Sequence, residues 1–147
     1  PTDEARPLAP RGRADAAAAG AALAAANLGL VRALVSPAAR TQETWAHVAP
    51  HLPGVTAQTI DALYMAEPET LFDTALAANS DVVLVVAHNP GLHELMRYLV
   101  EQAHDGSREA QILRAHCPTS AWAAFSLTGD TLSAPGSRLL AAWRPKD

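Results

Sequence analysis

Two apolar runs in this chain each end in residues suited to holding an anion. Residues 30–35, Leu-Val-Arg-Ala-Leu-Val, run into Ser36-Pro37 with Arg40 shortly after. Residues 82–87, Val-Val-Leu-Val-Val-Ala, run into His88-Asn89-Pro90. A Ser or Asn followed by Pro reads as a helix N-cap and first helical position, where the missing proline N–H is no loss. The free N–H groups of a helix start favour anions. One turn in, Arg40 can reach back over that start with a planar fork matched to phosphate oxygens. If the two runs are parallel strands, both helix starts lie on the carboxyl edge of one sheet, where α/β proteins place ligands. Arg40, His88 and Asn89 then converge on one tetrahedral anion, which describes a phosphate pocket. The sequence has no Gly-rich loop ending in Gly-Lys-Ser/Thr, so nucleotide binding of that kind is not expected.

The elements that must position these residues follow from local pattern. Residues 11–27 are rich in Ala with little β-branching and end near Asn27 and Gly29, which predicts a helix with a good terminator. The run 30–35 reads as a buried strand, and a helix follows from Ser36-Pro37 to about His51, stopped by Pro53-Gly54. Residues 55–60 make a weaker strand. Glu67-Pro68-Glu69 opens a helix to about Asn79, its acids facing the positive end of the dipole. The run 82–87 is β-branched and apolar on both faces, so it is expected in the middle of the sheet. A helix from Asn89-Pro90 to about Gln102, a helical stretch at 107–115, a strand at 120–127, a turn at 128–130 and a strand at 138–143 complete the chain. Strands alternating with helices predict an α/β fold: a three-layer α/β/α sandwich with a mostly parallel sheet and the last two strands as an antiparallel edge.

At 147 residues and 49% hydrophobic content, the chain has material for one domain with a sizeable core. We expect a single domain over 1–147. The net charge of -4 gives no general attraction to nucleic acid or an anionic membrane, so phosphate recognition should be local. A single cysteine, Cys117, excludes an internal disulfide and a cysteine-rich zinc cage and points to a reducing compartment, with the cytoplasm as the expected location. The longest apolar runs, 16–26 and 82–87, are too short to span a bilayer as helices.

Several segments together resemble the SixA-type phosphohistidine phosphatases of the histidine phosphatase superfamily, which has the phosphoglycerate mutase-like fold. They are Arg6-Pro7-Leu8 with Gly12, the stretch from Leu34-Val35-Ser36-Pro37 through Arg40 to Thr44, Leu63-Tyr64, and Val86-Ala87-His88-Asn89-Pro90-Gly91-Leu92. Pro118-Thr119-Ser120 fits the same pattern. The segments occur in family order over nearly the whole chain. The resemblance implies a pocket of two histidines and two arginines, metal-independent and without a cofactor. In that pocket Arg40 is the second arginine and His88 the second histidine, which stabilise charge on the transferring phosphoryl group. The family's first strand ends in Arg-His-Gly or Arg-His-Ala, and that histidine becomes a transient phosphohistidine. This sequence contains no such motif. We therefore expect the natural protein to carry roughly 10 to 20 further residues before Pro1, enough for a strand and a loop.

The implied activity is a phosphohistidine or phosphomonoester phosphatase acting on a phosphorylated protein or a small phosphorylated molecule. A phosphorylated imidazole leaves as a weaker base than an alkoxide and asks less of a general acid. Asp61, Glu67 and Glu69, near Tyr64 in sequence, are the available acids. A short chain without a large insertion suggests an open pocket, which suits phosphohistidine displayed on a protein and disfavours a mutase acting on a sugar phosphate. The alternative is a module that lacks the nucleophile and binds phosphate or a phosphopeptide without turnover. Among the simpler roles, Arg40 could pair with Glu43 on a helix surface, Thr41 and Thr44 could pack on the helix face, and His93 is expected at the surface. His47 and His51 have helical metal-ligand spacing without a supporting carboxylate motif. Cys117 reads as a small buried hydrophobe and the three tryptophans as packing residues.

Overall fold

The computed structural model describes residues 2–146. Its elements are α1 (Pro10–Ala25), β1 (Arg32–Val35), α2 (Ala39–Val48), β2 (Thr56–Thr59), α3 (Pro68–Ala77), β3 (Val83–Val86), α4 (Gly91–Gln102), α5 (Arg108–Ala115), β4 (Trp122–Leu127) and β5 (Ser137–Trp143). Short 3-10 turns at Ala49–His51 and Asp61–Leu63 follow α2 and β2. The alanine run forms α1 as its propensity dictates, with Pro10 in the first turn. Asn27 and Gly29, both at positive φ, turn the chain out of that helix toward β1.

The two cap-then-proline sites are built differently from the simplest expectation. α2 starts at Ala39 behind an extended Ala38, and the Ser36 hydroxyl does not cap it. α4 starts at Gly91, one residue beyond Pro90, and the Asn89–Pro90 bond is cis. Asn89 still closes the helix start, because its Oδ1 accepts the His93 N–H at 3.1 Å. Gly91 is required by close packing: a Cβ there would collide with the carbonyl oxygen of Ala66.

β1 lies between β2 and β3, both parallel to it, with Leu34 opposite Val85 and Val35 opposite Val86. This register places Ser36 and His88 side by side beyond the carboxyl ends of adjacent strands. β4 and β5 form a separate antiparallel pair with an irregularity at Ala124/Phe125. The expectation that 82–87 would lie mid-sheet is therefore corrected: β3 is the end strand of its sheet and only partly buried. Its residues Leu84 and Val86 line a cavity that Trp122, the first residue of β4, also borders.

Helices cover both faces of the parallel sheet, giving the expected α/β class. Leu34, Val83 and Val85 pack with Leu63, Leu71, Leu92 and Leu95 under α3 and α4. The opposite face, with Leu84 and Val86, looks toward α1 and α2. A second cluster joins Val100, Ala110 and Leu113 to Met96, Phe125, Leu139 and Ala142 under β4 and β5. α4 contributes to both clusters, Leu92 and Leu95 to the first and Met96 and Val100 to the second, so it holds the two sheets at a fixed spacing.

Candidate functional site

His88 follows β3 directly and is 6% exposed, with its ring fixed at both nitrogens. Arg40 Nη2 stands 3.2 Å from Nδ1, and Ser36 Oγ stands 2.7 Å from Nε2. A guanidinium can only donate, so Nδ1 is the acceptor and Nε2 carries the hydrogen that goes to Ser36. The neutral ring suits its surroundings: burial, and then the charge of Arg40, push the His88 pKa below its ordinary value, opposed by Asp3. Tyr64 meets the same ring edge-on at 5.4 Å between centroids.

Arg40 reaches back over the start of α2 as its place in the helix requires. Its Nη1 donates to the Asp3 carbonyl at 2.8 Å and its Nη2 to the Asp3 carboxylate at 3.2 Å. The surface pair with Glu43 does not form. Glu43 binds Arg13 at 3.1 Å and accepts the Leu8 N–H, which fastens the start of α1 to α2. Tyr64 donates to the same Asp3 oxygen at 2.5 Å. That hydrogen bond, then Arg40, hold the Asp3 carboxyl below the usual carboxylate range, while the Tyr64 hydroxyl is pushed up.

The site opens into a cavity of about 690 Å³. Arg40, His88, Asn89 and Thr41 line its polar end. The rest is lined by Leu84 and Val86 of β3, by Arg11, Asp15, Ala19 and Leu23 of α1, and by Ser120 and Trp122 at the start of β4. Among the described residues, neither β3 nor β4 has a further strand neighbour on its outer edge. The Ser120 hydroxyl, on a residue that lines the same cavity, is buried and makes no hydrogen bond.

The structure thus brings Arg40, His88 and Asn89 to one place, as the strand-end argument requires. Asp61, Glu67 and Glu69 are exposed and line no part of the cavity. Thr41 and Thr44 turn their hydroxyls back onto α2 and its approach, Thr41 to the carbonyls of Ser36 and Ala38 and Thr44 to that of Arg40. His93 is not a surface residue: its Nε2 donates to the Leu113 carbonyl at 2.6 Å and ties α4 to α5. Cys117 is partly buried, with burial pushing its thiol pKa up. Sequence reasoning missed the hydroxyl of Ser36 as a partner of His88, although adjacent parallel strand ends would have suggested it. It also missed Asp3, which no local pattern marks.

Among the described residues no helix is long and apolar enough to cross a membrane. Residues 3–64 match the family model of the histidine phosphatase superfamily, branch 1. Two curated relatives from Mycobacterium tuberculosis, the uncharacterized proteins MT1313 (strain CDC 1551 / Oshkosh) and Rv1276c (strain H37Rv), are each 35% identical over 130 residues, covering 86% of this chain and 80% of theirs. Among solved structures, a SixA protein from Nakamurella multipartitia superposes with a TM-score of 0.83 at 29% identity, over 98% of this chain and 87% of that one. A SixA protein from Agrobacterium tumefaciens gives 0.80 at 23% identity, over 99% and 87% of the two chains. The protein histidine phosphatase SixA complexed with tungstate gives 0.72 at 23% identity over 97% and 86%, which speaks to the fold. With the Arg40–His88 pair set at the carboxyl edge of this fold, the chain belongs to the histidine phosphatase superfamily, with SixA proteins as its structural neighbours.

Proposed function

We propose that this chain is a metal-independent phosphohistidine or phosphomonoester phosphatase in which Arg40 and His88, with Asn89 beside them, receive the phosphoryl group. The observation that carries this reading is the 3.2 Å contact between the Arg40 guanidinium and His88 Nδ1 at the polar end of an open cavity. Arg40 supplies a fixed cation for the equatorial oxygens of a transferring phosphoryl group, and an incoming dianion that replaced the Arg40–Nδ1 contact would let Nδ1 take up a proton and donate to the same anion.

The attacking imidazole is assigned to a strand absent from this sequence. The cavity beside β3 supports that assignment: Leu84, Val86, Leu23 and Trp122 line it, the outer edges of β3 and β4 have no strand partner among the described residues, and the Ser120 hydroxyl there is unpartnered. A strand seated there parallel to β3 would end beside His88. On this reading residues 1–147 are one histidine phosphatase-like domain without its first strand. The nucleophilic nitrogen would form a bond to phosphorus as the bond to the leaving imidazole or alkoxide breaks, and the leaving group would take a proton. Water would then attack the phosphohistidine, breaking the P–N bond and releasing phosphate. The proton donor is unassigned, since Asp3 is ionised and Asp61, Glu67 and Glu69 lie outside the cavity. The openness of the site favours a phosphohistidine displayed on a protein, the substrate class that the name of the tungstate-bound SixA carries.

The test is a phosphatase assay on the chain with an Arg-His-terminated strand at its N-terminus, against a phosphohistidine protein and an aryl phosphate. Preference for the former is expected. His88→Ala should lower turnover by on the order of a hundredfold. Unchanged turnover would reject the role of His88. Phosphate binding without turnover, even with the strand restored, would instead favour a phosphate- or phosphopeptide-binding module.

A further inference from the structure

An arginine that grips phosphate must be held in advance, because its long side chain is rich in rotamers and its fork acts only in one plane. Four groups surround the Arg40 guanidinium: the Asp3 carbonyl at 2.8 Å, the Asp3 carboxylate at 3.2 Å, His88 Nδ1 at 3.2 Å and Met65 Sδ at 3.7 Å. Only Asp3 touches both terminal nitrogens, and only Asp3 brings the opposite charge. Two contacts to different nitrogens fix the plane of the guanidinium as well as its position.

Asp3 is in turn anchored. Tyr64 donates to Oδ2 at 2.5 Å and Arg6 to Oδ1 at 3.4 Å. The Ala39 N–H, at the first position of α2, donates to the neighbouring Glu4 carbonyl at 2.8 Å, which ties this segment to the helix that carries Arg40. Tyr64 also abuts the His88 ring, so Asp3, Arg40, His88 and Tyr64 form a closed circuit of contacts.

We propose that Asp3, anchored by Tyr64, is a positioning residue that holds the Arg40 guanidinium against His88 for an incoming phosphoryl group. The proposal rests on the reading of Arg40 and His88 as phosphate ligands. The competing use of the same contacts is a carboxylate that occupies the place of the anion on Arg40 and must leave before phosphate enters. The two differ in sign. Removing a competitor tightens phosphate binding, whereas removing a support weakens it. The Asp3 side chain is 52% exposed, so solvent screens its repulsion of a phosphate, while the contact of Nη1 with the Asp3 carbonyl does not depend on that charge.

Binding of inorganic phosphate to the full chain, measured by calorimetry, decides between them. Asp3→Ala should weaken binding about tenfold, the scale of one lost charge-assisted hydrogen bond. Asp3→Asn, which unlike Asp3→Ala keeps a side-chain acceptor for Arg40, should recover most of that loss. Tyr64→Phe should weaken binding severalfold alone and add nothing to Asp3→Ala. If Asp3→Ala fails to fold, Asp3→Asn and Tyr64→Phe carry the same comparison at unchanged melting temperature. Tighter or unchanged binding in the folded Asp3 and Tyr64 variants would overturn the proposal. Arg40→Ala separates the two layers: if it leaves phosphate binding intact, the phosphate reading fails and this proposal with it. If Arg40→Ala weakens binding while the Asp3 variants do not, only the role of Asp3 fails.

Discussion

The imidazole of His88 is the residue on which pH should act most directly. Burial and Arg40 depress its pKa below the ordinary 6.5, so between the two values the unfolded chain binds more protons than the folded one. Stability from this group is therefore complete above about pH 6.5 and is lost as pH falls toward the folded value. The groups that face the ring are Arg40, Ser36 and Tyr64, with Asp3 one contact further away, and only Asp3 opposes the shift. In urea unfolding between pH 5 and 7.5, a range set by the usual histidine pKa, the stability difference between wild type and His88→Gln should shrink on acidification. A constant difference would show that His88 titrates alike in both states. Ser36 illustrates what the sequence hides at this scale. Ser-Pro after a strand reads as a cap, but whether the hydroxyl turns to its own helix or to a neighbouring strand end depends on a partner 52 residues away. Arg40 and His88 could be recognised because type and location after apolar runs mark them. Asp3 could not, because it acquires its role only by docking onto α2.

Between residue and fold, the element boundaries decide where the site's groups point. The alternation of helices and strands was legible because Pro, Gly and Asn punctuate apolar runs of distinct length, and every expected element is present. The run 82–87 reads as mid-sheet while β3 ends its sheet, for a definite reason: an apolar run reports that a strand wants cover, not that another strand supplies it. The start of α4 makes the strongest prediction at this scale. Gly91 allows the helix to press against Ala66, and this holds the Leu63–Ala66 segment, with Tyr64, beside His88. Gly91→Ala forces a backbone shift that the small gain in helix propensity does not offset, so a loss of roughly 1–3 kcal/mol is expected in urea unfolding. The same variant should bind inorganic phosphate more weakly, because the displaced segment carries the anchor of Asp3. Full stability with unchanged binding would mean that the chain accepts a Cβ at position 91 without displacing Ala66; full stability with weakened binding would locate the strain in the site alone.

Across the whole molecule, the governing feature is that α4 packs into the cores beneath both sheets while a cavity opens beside β3, bordered by α1 and the start of β4. Among the described residues the outer edges of β3 and β4 have no strand partner, and Leu84, Val86, Leu23 and Trp122 line the cavity beside them. Such an arrangement is a template for an added strand and, without one, a liability. Burying an apolar side chain contributes about 1.5–3 kcal/mol relative to its exposure. Ordering each residue of an added strand opposes this by about 1–2 kcal/mol. The balance is favourable only if the strand inserts alternate apolar residues into both faces and also satisfies the edge hydrogen bonds. An apolar six-residue strand ending in Arg-His, fused through a short loop ahead of Pro1, should therefore raise the urea midpoint and reduce binding of a hydrophobic dye such as ANS. A strand of the same length with charges at its apolar positions should do neither, which separates pairing from a mere change in length. Leu84→Asp in the cavity wall should cancel the gain from the apolar strand while leaving Arg40 and His88 in place. Equal midpoints for the apolar and charged fusions would mean that the cavity does not take a strand, and would remove the support it gives to a nucleophile delivered beside His88.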